Sequence, residues 1–181
     1  CVAGTRRDFD GHETAREIAG FYESGRVTMC FLDRELSASV APAAQKLLDV
    51  TRESLQLAIE ECRPDRRLSD VSHAVQRHVE AHGFGVVRAF VGHGIGRALH
   101  EEPQIPNFGE PGRGPRLRPG MVLAVEPMVT MGNWEVRVLD DGWTAVTQDG
   151  SLAAHFEHTS AVTEEGPVVL TTLNGHGGGA A

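Results

Sequence analysis

The sequence predicts an α+β domain, with two helices on one face of a curved antiparallel sheet. Three observations lead there. Apolar residues recur at helical spacing from Pro42, and again after Ser69. Beyond Gly83 the apolar residues fall instead into short segments divided by Gly, Pro and Asp-Gly pairs. Helices followed by many hairpin-linked strands give an α+β arrangement, and such a sheet has an open face on which polar strand residues can converge.

Residues 1–36 are polar and turn-like, without a clear period. From Pro42 the positions Ala44, Leu47, Leu48, Thr51, Leu55, Ala58 and Ile59 recur at three- and four-residue steps, so Pro42–Cys62 reads as an amphipathic helix. Pro42 suits its first turn and Pro64 lies just past its end. Ser69 is the expected cap of a second helix with Val71, Ala74, Val75, His78 and Val79 on its apolar face, closed by Gly83. Val86–Val91 is β-rich and leads into a glycine loop, and Pro103–Pro119 is a Pro/Gly-rich connection. Met121–Thr130, Glu135–Leu139, Trp143–Thr147, His155–Val162 and Val168–Thr172 read as strands, with hairpin turns at Asp141-Gly142 and Asp149-Gly150. The tail 175–181 is expected to be disordered.

At 181 residues, 40% of them hydrophobic, the chain is long enough for one domain with a real core. A net charge of −8 argues against DNA or an anionic membrane as the main partner. No stretch has the length of a transmembrane helix and no signal peptide is visible, so a cytoplasmic protein is expected. Cys1, Cys30 and Cys62 are too scattered for a disulfide framework or a zinc knuckle, which fits a reducing compartment. The first residue is Cys1 rather than Met, which suggests that the true start is missing.

Three side chains sit oddly in apolar surroundings. His93 lies in Val91-Gly92-His93-Gly94-Ile95-Gly96, where the glycines allow close approach of backbone or ligand. Its local sequence fits either a tight turn with a surface histidine or a metal ligand. Glu126 ends the run Met121-Val122-Leu123-Ala124-Val125, on one strand face with Val122 and Ala124, before Pro127 stops regular pairing. It is either paired with an arginine or a ligand. Glu157 shares a face with Thr159 and Ala161, whereas His158 points the other way. A carboxylate in a buried strand costs several kcal/mol unless something pairs with it, and a divalent metal would serve both acids and the histidine. One nitrogen with several carboxylate oxygens favours manganese, iron or cobalt, with zinc also acceptable. Two close ions would suit hydrolysis, by activating water and polarising a carbonyl. His100 is either a surface residue or a hydrogen-bond donor to substrate, and Trp143 either a core residue or a pocket wall. There is no Gly-x-Ser-x-Gly elbow and no dinucleotide fingerprint.

Gly92-His93-Gly94-Ile95-Gly96-Arg97-Ala98-Leu99-His100-Glu101-Glu102-Pro103 closely resembles the signature of type I methionine aminopeptidases. So do Leu117-Arg118-Pro119-Gly120-Met121, Val125-Glu126-Pro127-Met128-Val129, Asp141-Gly142-Trp143-Thr144 and Glu157-His158-Thr159, in the same order, over about residues 42–173. The resemblance implies the pita-bread fold, incomplete at its N-terminus, and two divalent ions, of Co, Mn, Fe or Zn. It implies removal of the N-terminal methionine of nascent polypeptides, with a small second residue preferred, by a monomer that associates with the ribosome. By position, His93, Glu126 and Glu157 would be metal ligands, with Glu157 bridging both ions. Glu126 and His100 would be catalytic, Glu126 moving a proton and His100 contacting the scissile peptide. Trp143, His100 and Leu99 would contact substrate, Leu99 standing where the family usually has phenylalanine.

The family also carries two upstream aspartates. The nearest counterpart here is Asp8-Phe9-Asp10-Gly11-His12-Glu13, with Glu13 in place of the second, whereas counting back from the first helix reaches Val27-Thr28. The expected division is an atypical segment 1–40, a catalytic domain 41–174 corresponding to the family's C-terminal portion, and the tail. A non-catalytic pita-bread module that binds a peptide or partner is the competing reading, supported by the missing aspartates. A proline-directed peptidase of the same fold is a third, disfavoured by the Glu126-Pro127-Met128-Val129 and His100-Glu101-Glu102-Pro103 motifs.

Overall fold

The computed structural model describes residues 29–30 and 41–171. Apart from residues 29–30, the expected N-terminal segment lies outside them, with Asp8, Asp10, Glu13 and the Val27-Thr28 alternative. The tail lies outside them too.

Both predicted helices form. Helix α1, Pro42–Glu60, has proline in its first turn and ends two residues before the predicted Cys62. Cys62 itself is fully buried. Helix α2, Leu68–Ala81, starts one residue before Ser69, so the cap position falls on Arg67. Asp70 does the capping work instead, since its Oδ2 accepts the Arg67 amide at 2.7 Å and its Oδ1 accepts the Gly112 amide at 2.7 Å. Ser69 turns outward, exchanging bonds with the Arg113 carbonyl and amide and tying down the 103–119 connection. The α2 C-terminus closes as predicted. Gly83 has φ +78°, its amide bonds to the Glu80 carbonyl, and the Phe84 amide reaches the Val79 carbonyl.

The strands are β1 (Met29–Cys30), β2 (Gly85–Val86), β3 (Val91–Ile95), β4 (Glu101–Pro106), β5 (Val122–Val125), β6 (Met128–Thr130), β7 (Val136–Val138), β8 (Ala145–Thr147), β9 (Ala153–His155), β10 (His158–Thr163) and β11 (Gly166–Val169). They form three sheets rather than one. An antiparallel five-stranded sheet has the order β11-β10-β5-β3-β4, a four-stranded sheet the order β1-β9-β6-β2, and β7-β8 stand as a separate ribbon. The four-stranded sheet is mixed, because β1 runs parallel to β9.

Four expectations are corrected here. The glycine run is a strand, not a loop. Gly92 and Gly94 are needed because β3 is squeezed between neighbours: a side chain at Gly92 would meet the Ala124 carbonyl, and one at Gly94 the Glu102 carbonyl. Strand β4 lies partly inside the supposed Pro/Gly connection. Asp149-Gly150 makes a corner rather than a hairpin, since β8 pairs with β7 and β9 with β6. Finally, each of the long predicted strands 121–130 and 155–162 is interrupted and crosses from one sheet to the other.

Helix residues Leu47, Leu55, Ile59, Val71, Val75 and Val79 share one core with Leu123, Val125, Val129, Ala154 and Val162 of the strands. The helices therefore cover the apolar side of the sheets, as expected. No helix among the described residues is long and apolar enough to cross a membrane.

Candidate metal centre

The site is built at the paired interruption. Val125 of β5 faces His158 of β10 in one sheet, and Met128 of β6 faces His155 of β9 in the other. The same register carried through the gap sets Glu126 opposite Glu157. Pro127 cannot donate to a ladder, which helps break pairing there, and a long 3.4 Å bond from the Phe156 amide to the Pro127 carbonyl spans the gap. Glu126 is thus just past the end of β5, not within a continuous strand face as expected. Buried Asn107 holds it there, its Nδ2 donating to the Glu126 carbonyl at 3.0 Å.

Two imidazoles flank the Glu126 carboxylate, one at each oxygen. His93 Nε2 stands 3.7 Å from Oε1 and His155 Nε2 stands 3.6 Å from Oε2. Ligand atoms of Glu126, His155 and Glu157 all lie within 4.8 Å of one another. His93 comes from β3, where its Nδ1 lies 3.0 Å from the Gly94 carbonyl oxygen, and the His100 ring packs on it with centroids 4.0 Å apart. Among the described residues the basic partners of Glu126 are the two histidines and no arginine. His158 turns away as predicted, its Nδ1 lying 2.9 Å from Thr171 Oγ1.

Electrostatics set the character of the site. Burial and then the charge of Glu157 push the Glu126 carboxyl up to about 7, partly offset by His93. Burial pushes the His155 imidazole down to about 4, so it is neutral near pH 7. The His155–Glu126 contact at that pH is therefore not an ion pair, and at 3.6 Å it is too long for a hydrogen bond. Two carboxylates held opposite each other repel unless protonated or bridged by a cation. The donor set of carboxylate oxygens and neutral imidazole nitrogens suits a divalent transition metal.

The structure sets His93 beside Glu126 and His100 on His93, and groups Glu126 with Glu157. Leu99 and Trp143 are 68% and 65% exposed, on the β3–β4 loop and the β7–β8 ribbon, and neither belongs to the acid–imidazole cluster. His155 and Asn107 were missed. His155 had a signal, because residues two apart share a face in extended chain, and His155 and Glu157 are so spaced. Asn107 had none beyond its place after Pro106.

The crease where the two sheets meet, lined by acids and imidazoles, is a carboxylate-rich centre suited to a divalent metal. The family description Metallopeptidase family M24 matches residues 22–164, and the chain belongs to that family. It is 56% identical over 135 residues to a methionine aminopeptidase of Clostridium perfringens, covering 75% of this chain and 54% of that protein. To methionine aminopeptidase 1 of Bacillus subtilis it is 58% identical over 129 residues, covering 71% and 52%. The chain thus spans about half the length of the curated relatives it matches. The solved methionine aminopeptidase of Thermotoga maritima superposes with a TM-score of 0.72 at 56% identity, covering 74% of this chain and 53% of that one. A prolidase of Pyrococcus furiosus, 20% identical with a TM-score of 0.57, shares the fold alone. The chain has the pita-bread fold, and its Glu126–His155–Glu157 group could hold a divalent ion.

Proposed function

We propose that this chain serves the removal of N-terminal methionine from newly made polypeptides by metal-dependent hydrolysis, with a small second residue preferred. The observation that carries this reading is the Glu126–Glu157 pair across the strand break, flanked by His93 and His100. It stands in a chain whose relatives at 56–58% identity are named methionine aminopeptidases.

His93, Glu126 and Glu157 are the residues that would hold two divalent ions, of Co, Mn, Fe or Zn. When bound, such ions activate water and polarise the scissile carbonyl. Glu126 takes the proton of the attacking water and passes it towards the leaving amine. The His100 ring, exposed and stacked on His93, donates a hydrogen bond to the carbonyl oxygen as negative charge builds there. Leu99 and Trp143 offer apolar surface to the methionine side chain. The partner is the N-terminus of a nascent chain in the cytoplasm, met by a ribosome-associated monomer.

Cleavage of a Met-Ala-Ser peptide, followed by release of free methionine, tests the reading. Turnover that needs added cobalt or manganese, stops with chelator and is lost in Glu126→Ala is the expected result. Metal and peptide binding without turnover at any metal loading would instead favour the non-catalytic peptide-binding module.

A further inference from the structure

We propose that His155 is itself a metal ligand, giving through Nε2 a second imidazole nitrogen to the ion held by Glu126 and Glu157. This rests on the reading of the crease as a metal centre and adds a ligand to the set of His93, Glu126 and Glu157.

The argument is geometric. His155 is the last residue of β9 and pairs with Met128, so it enters the crease from the four-stranded sheet, on the opposite side of Glu126 from His93. It is 4% exposed and fixed by ladder bonds on a strand rather than a loop. Two ligand atoms on one tetrahedral ion with bonds of about 2.1 Å lie about 3.4 Å apart. The 3.6 Å from His155 Nε2 to Glu126 Oε2 fits that separation. A residue that merely orients the carboxylate would donate a hydrogen bond at about 2.7–3.2 Å. Glu157 completes the group, all three ligand atoms lying within 4.8 Å of one another. A second imidazole would also move the metal preference away from hard, oxygen-seeking ions and towards cobalt, iron or zinc.

The test is cobalt(II) loading of the chain, followed by calorimetry and by proton NMR of the paramagnetic complex. Each coordinated imidazole gives its own strongly shifted, solvent-exchangeable ring N–H signal. Two such signals are expected, with one lost in His155→Gln and the other lost in His93→Gln. His155→Gln should also weaken cobalt binding by about tenfold or more. A merely orienting histidine could reproduce that affinity loss, so the signal count is the deciding readout. If cobalt binds and every shifted signal survives in His155→Gln, the assignment is wrong and the metal-centre reading stands. If the chain binds no cobalt, both fail. Should His155→Gln not fold, the count on the unaltered chain decides, and a single coordinated imidazole overturns the assignment.

Discussion

Glu126 and Glu157 repel each other across the crease, and that repulsion is what a cation would relieve. On the proposed reading either acid supplies a ligand atom, whereas His100 is a ring packed on His93. Glu157→Ala should therefore weaken cobalt or manganese binding by more than roughly tenfold, and His100→Ala should leave it nearly unchanged. Calorimetric titration of both variants checks this, and equal losses would contradict the division of roles. The acids and His93 could be read from the sequence because carboxylates and glycine-flanked histidines stand out in apolar runs. His155 could not be read so easily. It shares a face with Glu157 by extended-chain alternation, but only the strand break brings it up against Glu126.

The helices were predictable because their apolar positions follow one period over many residues, and the structure shifts only their ends. Strand connectivity was not. Alternation marks which side chains face a core, but β5–β6 and β9–β10 keep an apolar face to the same core while changing sheets, so no pattern records the crossing. Helix α2 shows a similar limit, since Ser69 has the right chemistry for a cap but stands one residue inside the helix. Asp70 carries that role, and its electrostatics give a prediction. Burial pushes its carboxyl up, but the amides of Arg67 and Gly112, together with Arg66 and Arg67, bring it below the usual carboxylate range. A carboxyl depressed in the folded state stabilises above its unfolded value of about 3.9, and that contribution is lost as pH falls through the folded value. Asp70→Ala should cost about 0.5–2 kcal/mol at pH 7. The difference from the unaltered chain should shrink below about pH 4 in urea melts, and a difference independent of pH would refute the assignment.

Among the described residues, core positions and site positions lie next to each other along the chain, Val125 beside Glu126 and Ala154 beside His155. Helices α1 and α2 seal a core against the strands, and Cys62 sits at the end of α1 inside that core, fully buried. Burial, and then the nearby charge of Glu61, push its thiol up to about 12. Reaction with an alkylating agent requires the thiolate and access to it, and folding withholds both. Cys62 should therefore stay unmodified by iodoacetamide at pH 8 while the chain is folded, and react readily in denaturant, as read by mass spectrometry of its peptide. The rate in native buffer then reports how often the helix–sheet core opens. If the crease binds a divalent ion, occupancy stabilises the state in which β5–β6 and β9–β10 are aligned. Those strands contribute Val125, Val129, Ala154 and Val162 to the same core as Cys62. Adding cobalt should accordingly slow Cys62 labelling under mild denaturant, and Glu126→Ala should abolish the slowing. Labelling of Cys62 at the same rate with and without saturating cobalt would mean that the crease and the core open independently.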